Sequence, residues 1–325
     1  MLIRALKLSF GAMIGTLIAY FLGLSHPLTA GVIVLLSLGK TKRSSIEIAR
    51  VRIKAVALAL VLASVLFFIF GFTVYAFSLF LFTYIPLILI FKLEEGLVIG
   101  SVLSTHLIIA ASSGFGILFN TLSLFVIGVG IAMLVNLYMP DMRGEIIQDQ
   151  RYIEERFRDI LLIMATMIKG NQYFDQSMFV EIETFINDAL VRAKMNADNY
   201  LRADMSYYAN YMNMRKMQFE ILKRMFNLTC QIEMELVQAA LIADLTKHFA
   251  HSLSESNSGE GLLEELAAVL AECQDGTLPK SRQEFENRAI LFQYLSEFRH
   301  MVELKREFNE KQKELFKGST FSKCF

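Results

Sequence analysis

Cysteine is scarce. Cys230, Cys273 and Cys324 are the only three in 325 residues, all in the second half and none in C-x-x-C spacing. That excludes a disulfide framework and a thiolate metal cluster, and fits a reducing compartment. Acidic side chains are nearly missing from the first 140 positions, where Glu47, Glu94 and Glu95 stand against nine Lys/Arg, a net of +6. The remaining 23 basic and 29 acidic residues give the second half −6, so an overall charge of zero hides two unlike halves. A phosphate-binding loop is missing too: Leu38-Gly39-Lys40-Thr41 resembles its end, but Val34 stands where the first glycine is needed. No Ser/His/Asp order, paired carboxylates or cofactor loop stands out, which argues against an enzyme and gives no ground for a cofactor or a nucleic-acid partner.

What the first half has instead is long apolar runs. A helix must bury about 20 apolar residues to cross a bilayer, because an unpaired backbone amide in hydrocarbon is costly. The runs predict an all-α fold with six transmembrane helices in a domain over 1–140, at about 8–24, 27–39, 55–74, 75–91, 96–112 and 117–139. The second is short for a span, and a re-entrant hairpin is its alternative. No A-x-A-like cleavage site lies near Gly23-Leu24-Ser25, so the first run reads as an uncleaved helix. The basic loop 40–54, the N-terminus and Arg143, Arg151, Arg156 and Arg158 fall on one side of a six-span path. Short Lys/Arg-rich loops stay in the cytoplasm, so both termini are expected there, in a multi-pass protein of the cell membrane.

From Asp141 the pattern becomes amphipathic. Ile153, Phe157, Ile160, Leu161, Met164 and Ile168 recur at three- and four-residue spacing, as a core-facing stripe does. Further helices are expected near 176–202, 204–252, 260–273 and 284–316, forming a cytoplasmic helical bundle over 141–325. Asp244, His248, His251 and Glu255 share one helix face; solvated side chains favoured at a helix end account for them, and no metal is assigned.

Polar groups inside a membrane are expensive and mark functional sites by default. His106 falls mid-way along the fifth run beside Ser101, Ser104 and Thr105, where it could bind an anion, shuttle a proton or merely bridge helices. Asn120 and Asn136 in the sixth run are weaker cases. Arg50, Arg52 and Lys54 lead into the third run; Arg52 and Lys54, two apart, diverge on a helix, while Arg50 and Lys54 share a face as an anion-attracting rim, with lipid phosphate as the competing partner for each. Gly11-x3-Gly15 and Gly96-x3-Gly100 permit close helix contact within or between subunits.

Four strings resemble the bacterial aromatic acid exporter family, itself similar to the fusaric acid resistance proteins. They are His26-Pro27-Leu28-Thr29-Ala30-Gly31, Thr41-Lys42-Arg43-Ser44-Ser45 leading to Arg52-Ile53, Val135-Asn136-Leu137-Tyr138-Met139-Pro140, and the later Tyr207-Tyr208-x2-Tyr211-Met212-x2-Arg215-x2-Gln218. The last looks like the C-terminal domain that accompanies the membrane domain in Gram-positive bacteria. The resemblance implies export of small aromatic carboxylates or related organic anions, with Arg52 matching the family's arginine at the start of the third helix. It also implies a homodimer, since longer relatives carry two six-helix halves. The chain departs from the family where Lys54-Ala55 replaces Gly-Thr and where Thr121 and Leu124 stand near positions often held by Arg and Asp. A proton gradient is the expected energy source, through a substrate path of Arg50, Arg52, Lys54, His106 and Asn120. The rival readings are a passive anion channel, like distant plant malate channels of similar layout, and a membrane-anchored interaction protein working through the bundle.

Overall fold

The computed structural model describes residues 2–139, 141–170, 177–200, 206–233, 237–255 and 259–321. Among them every regular element is helical. α1 is Leu2–Phe21, α2 Leu28–Ser37, α3 Lys42–Phe70, α4 Val74–Ile90, α5 Leu97–Ile109 and α6 Phe115–Leu137, with a 3-10 turn at Glu94–Gly96. α7 is Arg143–Ile168, α8 Ser177–Asn199, α9 Ser206–Thr229, α10 Val237–Ser252, α11 Glu260–Gln274 and α12 Arg282–Phe321. The chain divides into two compact units, residues 1–140 with 198–203, and 141–197 with 204–325.

Among the described residues of the first unit, only α3 and α6 are both long and apolar enough to cross a membrane by length and composition; α2 and α4 are shorter apolar helices. The basic stretch expected as a loop over 40–54 is helical from Lys42. Its start is fixed by a capping box, Thr41 Oγ1 accepting from the Ser44 amide while the Thr41 amide donates to Ser44 Oγ. The turn between α3 and α4 falls at Gly71-Phe72-Thr73 rather than at Tyr75. Gly71 adopts φ 79°, a conformation that costs glycine nothing, and Thr73 caps α4. α5 is shorter than the expected 96–112, opening after the 3-10 turn and closing before Ala111 at φ 45°. α6 ends at Leu137, two residues before the expected end at 139.

Small residues set the packing. A Cβ on Gly31 would sit 2.3 Å from Thr16 Oγ1 and 2.9 Å from the Ala12 carbonyl, so α1 and α2 touch backbone to backbone. Gly128 brings α6 equally close to Ile33 of α2. On the other side Gly96 lies against Ala55 of α3, and Gly100 against Ala59 and the Tyr84 hydroxyl. Tyr84 is fully buried and donates to the Ala55 carbonyl at 3.1 Å, tying α4 to α3. Gly11-x3-Gly15 and Gly96-x3-Gly100 are therefore both occupied by contacts within the chain.

The second unit packs around a large apolar core, with a small separate cluster of Tyr211, Met214 and Phe308. The stripe on α7 is buried as the spacing dictates, with Ile153, Phe157, Ile160, Leu161, Met164 and Ile168 fully enclosed. α7 packs on α9 and α10, and α12 on α9 and α11. The single helix expected over 204–252 is two: α9 ends at Thr229, and α10 begins at Val237. No Gly or Pro announces the break. Tertiary contacts impose it, since Ile232 is buried and Asn287 of α12 accepts from the Glu233 amide.

Candidate functional site

Two polar stations lie at opposite ends of α5. At its start, Arg52 of α3 is 5 % exposed. Its Nε donates to the Glu95 carbonyl at 2.8 Å, one terminal nitrogen approaches Glu95 Oε2 at 3.5 Å, and the other is buried without a partner. Arg52 turns inward while Arg50 and Lys54, which share a helix face, are exposed, because residues two apart on a helix point apart. Glu95, the partner of Arg52, carried no sequence signal beyond interrupting an apolar run.

At the far end stands His106. It sits in the last turn of α5 rather than mid-way, because the helix is shorter than its apolar run. Its Nε2 lies 3.2 Å from Thr29 Oγ1, and its ring centroid is 5.0 Å from that of His26, while Nδ1 is buried with no partner. His26 adopts φ 61°, a left-handed conformation strained for histidine, in the turn before α2. Asn120 of α6 holds that turn from the other side, accepting from the Ser25 amide at 2.8 Å and donating to the Ser25 carbonyl at 3.2 Å. His106 and Asn120 are thus brought to one turn, Ser25–Thr29, and their new companions are His26 and Thr29. Ten residues of helix separate the stations, roughly 15 Å. Ser101, Ser104 and Thr105 bond back to carbonyls of α5 itself and are spent locally.

The second unit has its own buried polar network. Glu154 of α7 accepts from Arg215 of α9 at 2.8 Å and from the Tyr211 hydroxyl, and Arg215 also reaches Gln218 at 2.8 Å. Glu255 accepts from Gln150 and Tyr207, and Lys305 of α12 donates to the Glu255 carbonyl at 2.8 Å. Burial, reinforced by the Arg215 charge, pushes the Lys305 ammonium down to about 8. Burial pushes the Tyr207 and Tyr211 hydroxyls up. Burial opposes ionisation of Glu255, but hydrogen bonds from Tyr207 and Gln150 and the charges of Lys305 and Arg215 bring it below the usual carboxylate range.

Of the four residues expected to share one helix face, three have partners of other kinds, and Glu255 lies beyond the end of α10. His248 meets Glu265, Asp244 meets Lys169, and Glu255 belongs to the network above. Among the described residues no group of three or more His, Cys, Asp or Glu is placed to hold a metal ion. Gly39, from the phosphate-loop-like string, donates its amide to Ser45.

Comparison with known proteins follows the same division. Residues 1–139 match the family described as "Aromatic acid exporter family member 1", and residues 144–306 match the "Putative aromatic acid exporter C-terminal domain". The uncharacterized protein YqjA of Bacillus subtilis (strain 168) is 28 % identical over 306 residues, covering 94 % of this chain and 95 % of its own. A solved "putative membrane protein" of Clostridium difficile 630 is 24 % identical with a TM-score of 0.45, over 51 % of this chain and 99 % of that one. With both of the family's domains matched in order along its length, the chain belongs to the aromatic acid exporter family, a family of membrane transporters.

Proposed function

We propose that the chain exports small aromatic carboxylates or related organic anions across the cell membrane, driven by the proton gradient. α1 to α6 are its six spans, both termini are cytoplasmic, residues 141–325 form a cytoplasmic helical bundle, and two copies make the working unit. One observation carries the membrane reading: the first unit turns its apolar side chains outward. Among the described residues thirty-six large hydrophobic side chains are exposed there, including Phe68, Phe82, Leu134 and Phe115, against seven in the second unit. In water such a surface would aggregate, whereas in lipid it is solvated.

The path runs between the stations of α5. Exposed Arg50 and Lys54 gather anions at the cytoplasmic side, and the unpaired nitrogen of Arg52 offers the carboxylate a charged donor. At the outer end His106, with His26 beside it, takes a proton from the outer side as the carboxylate arrives and passes it on toward the cytoplasmic side as the carboxylate leaves, which couples export to the gradient. Uptake of labelled benzoate-type acids into inside-out vesicles, with and without an imposed proton gradient, tests the reading. Gradient-dependent accumulation above empty vesicles, abolished in Arg52→Ala and His106→Ala, is expected. Undiminished export by both variants would sink the path, and steady current through a planar bilayer with no proton dependence would replace the exporter with a channel.

A further inference from the structure

Between α3 and α6 the first unit leaves a cleft of about 340 Å³. Its sides are apolar, made by Ile46, Met133, Leu134 and Leu137; Lys42 and Asn136 form one end and Gly130 the other. Leu134 and Leu137 are exposed, so the cleft opens sideways along the helices.

The polar end has two unmet demands. Lys42 has no carboxylate within salt-bridge distance among the described residues, whereas its neighbour Arg43 pairs with Glu47 one turn along α3. A second cation, Lys7, donates to the Tyr138 carbonyl at the same end of α6. Asn136 is 2 % exposed and spends its Nδ2 on the Gly39 and Thr41 carbonyls and on Ser45 Oγ, but its Oδ1 is buried with no donor. A buried acceptor without a donor is uncommon in a folded protein. Ser45 cannot supply one, because its hydroxyl already donates to the Thr41 carbonyl.

An occupant that answers all of this has an anionic head, a hydroxyl to donate, and a long apolar body lying along a laterally open groove. We propose that the cleft binds one anionic phospholipid of the cytoplasmic leaflet. Its phosphate sits on Lys42, a headgroup hydroxyl donates to Asn136 Oδ1, and an acyl chain runs along Ile46, Met133 and Leu137. A free carboxylate fits less well, since it brings no donor for Asn136 at neutral pH. The proposal rests on the membrane reading given above.

The test uses the full-length chain in detergent, with retained lipid counted by native mass spectrometry after addition of phosphatidylglycerol, phosphatidylmethanol or phosphatidylcholine. Phosphatidylglycerol has both the charge and the headgroup hydroxyls and should be held most tightly, one per chain; phosphatidylmethanol, a methyl phosphodiester, has the charge and no hydroxyl, and phosphatidylcholine should be held least. Lys42→Gln should weaken phosphatidylglycerol about fivefold, the worth of one cation at a lipid surface. Gly130→Leu should abolish binding by filling the cleft. A Cβ there meets no atom within 4 Å, and leucine is the better helix former, so this variant stays folded. Equal retention of phosphatidylglycerol and phosphatidylcholine by the parent, or undiminished binding in both variants, overturns the assignment. Displacement of the lipid by benzoate or inorganic phosphate gives the cleft to a free anion. Dissociation of a dimer by Gly130→Leu with the lipid still bound gives it to a second copy. Either result overturns the proposal. Cell fractionation without detergent tests the membrane reading separately, since a chain found in the soluble fraction refutes that reading whatever the lipid counts.

Discussion

Among the described residues, Arg215 and Glu154 form the most enclosed ion pair of the second unit, with side chains 3 % and 12 % exposed and 2.8 Å between charged atoms. Two charges taken out of water gain little over a well-packed apolar pair, but removing one leaves the other buried and uncompensated. Arg215→Met or Glu154→Leu should therefore each cost about 3–5 kcal/mol, while the double variant should recover most of that loss. For a unit of this size the singles should lower the melting midpoint by about 6–20 °C. The assay can be confined to this unit, because every cysteine of the chain lies in it. With Cys230 and Cys324 replaced by serine, Cys273 is the sole thiol, half-buried on α11 against the core, and a thiol-reactive dye reports its exposure on heating. Single variants as stable as the parent, or a double variant as damaged as the sum of the two, would refute the reasoning.

Four further outcomes rest on the buried groups and close contacts described above. An unfolded lysine keeps its proton to about 10.4 while folded Lys305 loses it near 8, so the second unit should gain about 2 kcal/mol of stability between pH 8 and 10, read by the same dye assay and absent in Lys305→Met. Above pH 10 the slope should reverse, because Tyr207 and Tyr211 stay protonated in the fold while unfolded tyrosines ionise. Gly96→Val would put a Cβ 2.2 Å from that of Ala55 and should cost at least about 1–3 kcal/mol, seen as loss of the monodisperse peak in detergent size-exclusion chromatography. Asn120→Ala removes both side-chain bonds to Ser25 and should cost about 1–2 kcal/mol locally, measured as faster hydrogen exchange over residues 24–29 with little change elsewhere.

Periodicity made the second unit legible: the stripe Ile153 to Ile168 follows from spacing alone and is buried as such. The ends of elements were harder to read. Apolar composition runs on through Ser112, yet α5 stops at Ile109, since hydrophobicity marks what prefers lipid and not where φ turns positive. The division between α9 and α10 was hidden for the opposite reason, a helix-favouring sequence broken by the contact of Asn287 with Glu233. Arg52 and His106 could be singled out because ionisable groups among apolar residues are costly. Their partners Glu95, Thr29 and His26 come from elsewhere in the chain, and no local pattern pairs residues 43, 77 and 80 positions apart.

The shortness of α5 has an electrical side. Thirteen residues make roughly 20 Å of helix, well below a hydrocarbon core of about 30 Å. In the membrane orientation proposed above, water reaching Arg52 from one side and His106 from the other would squeeze most of the transmembrane voltage into the gap between them. An anion stepping across that gap would then do electrical work approaching about 2.3 kcal/mol per 100 mV, nearly the full charge movement over half the membrane's width.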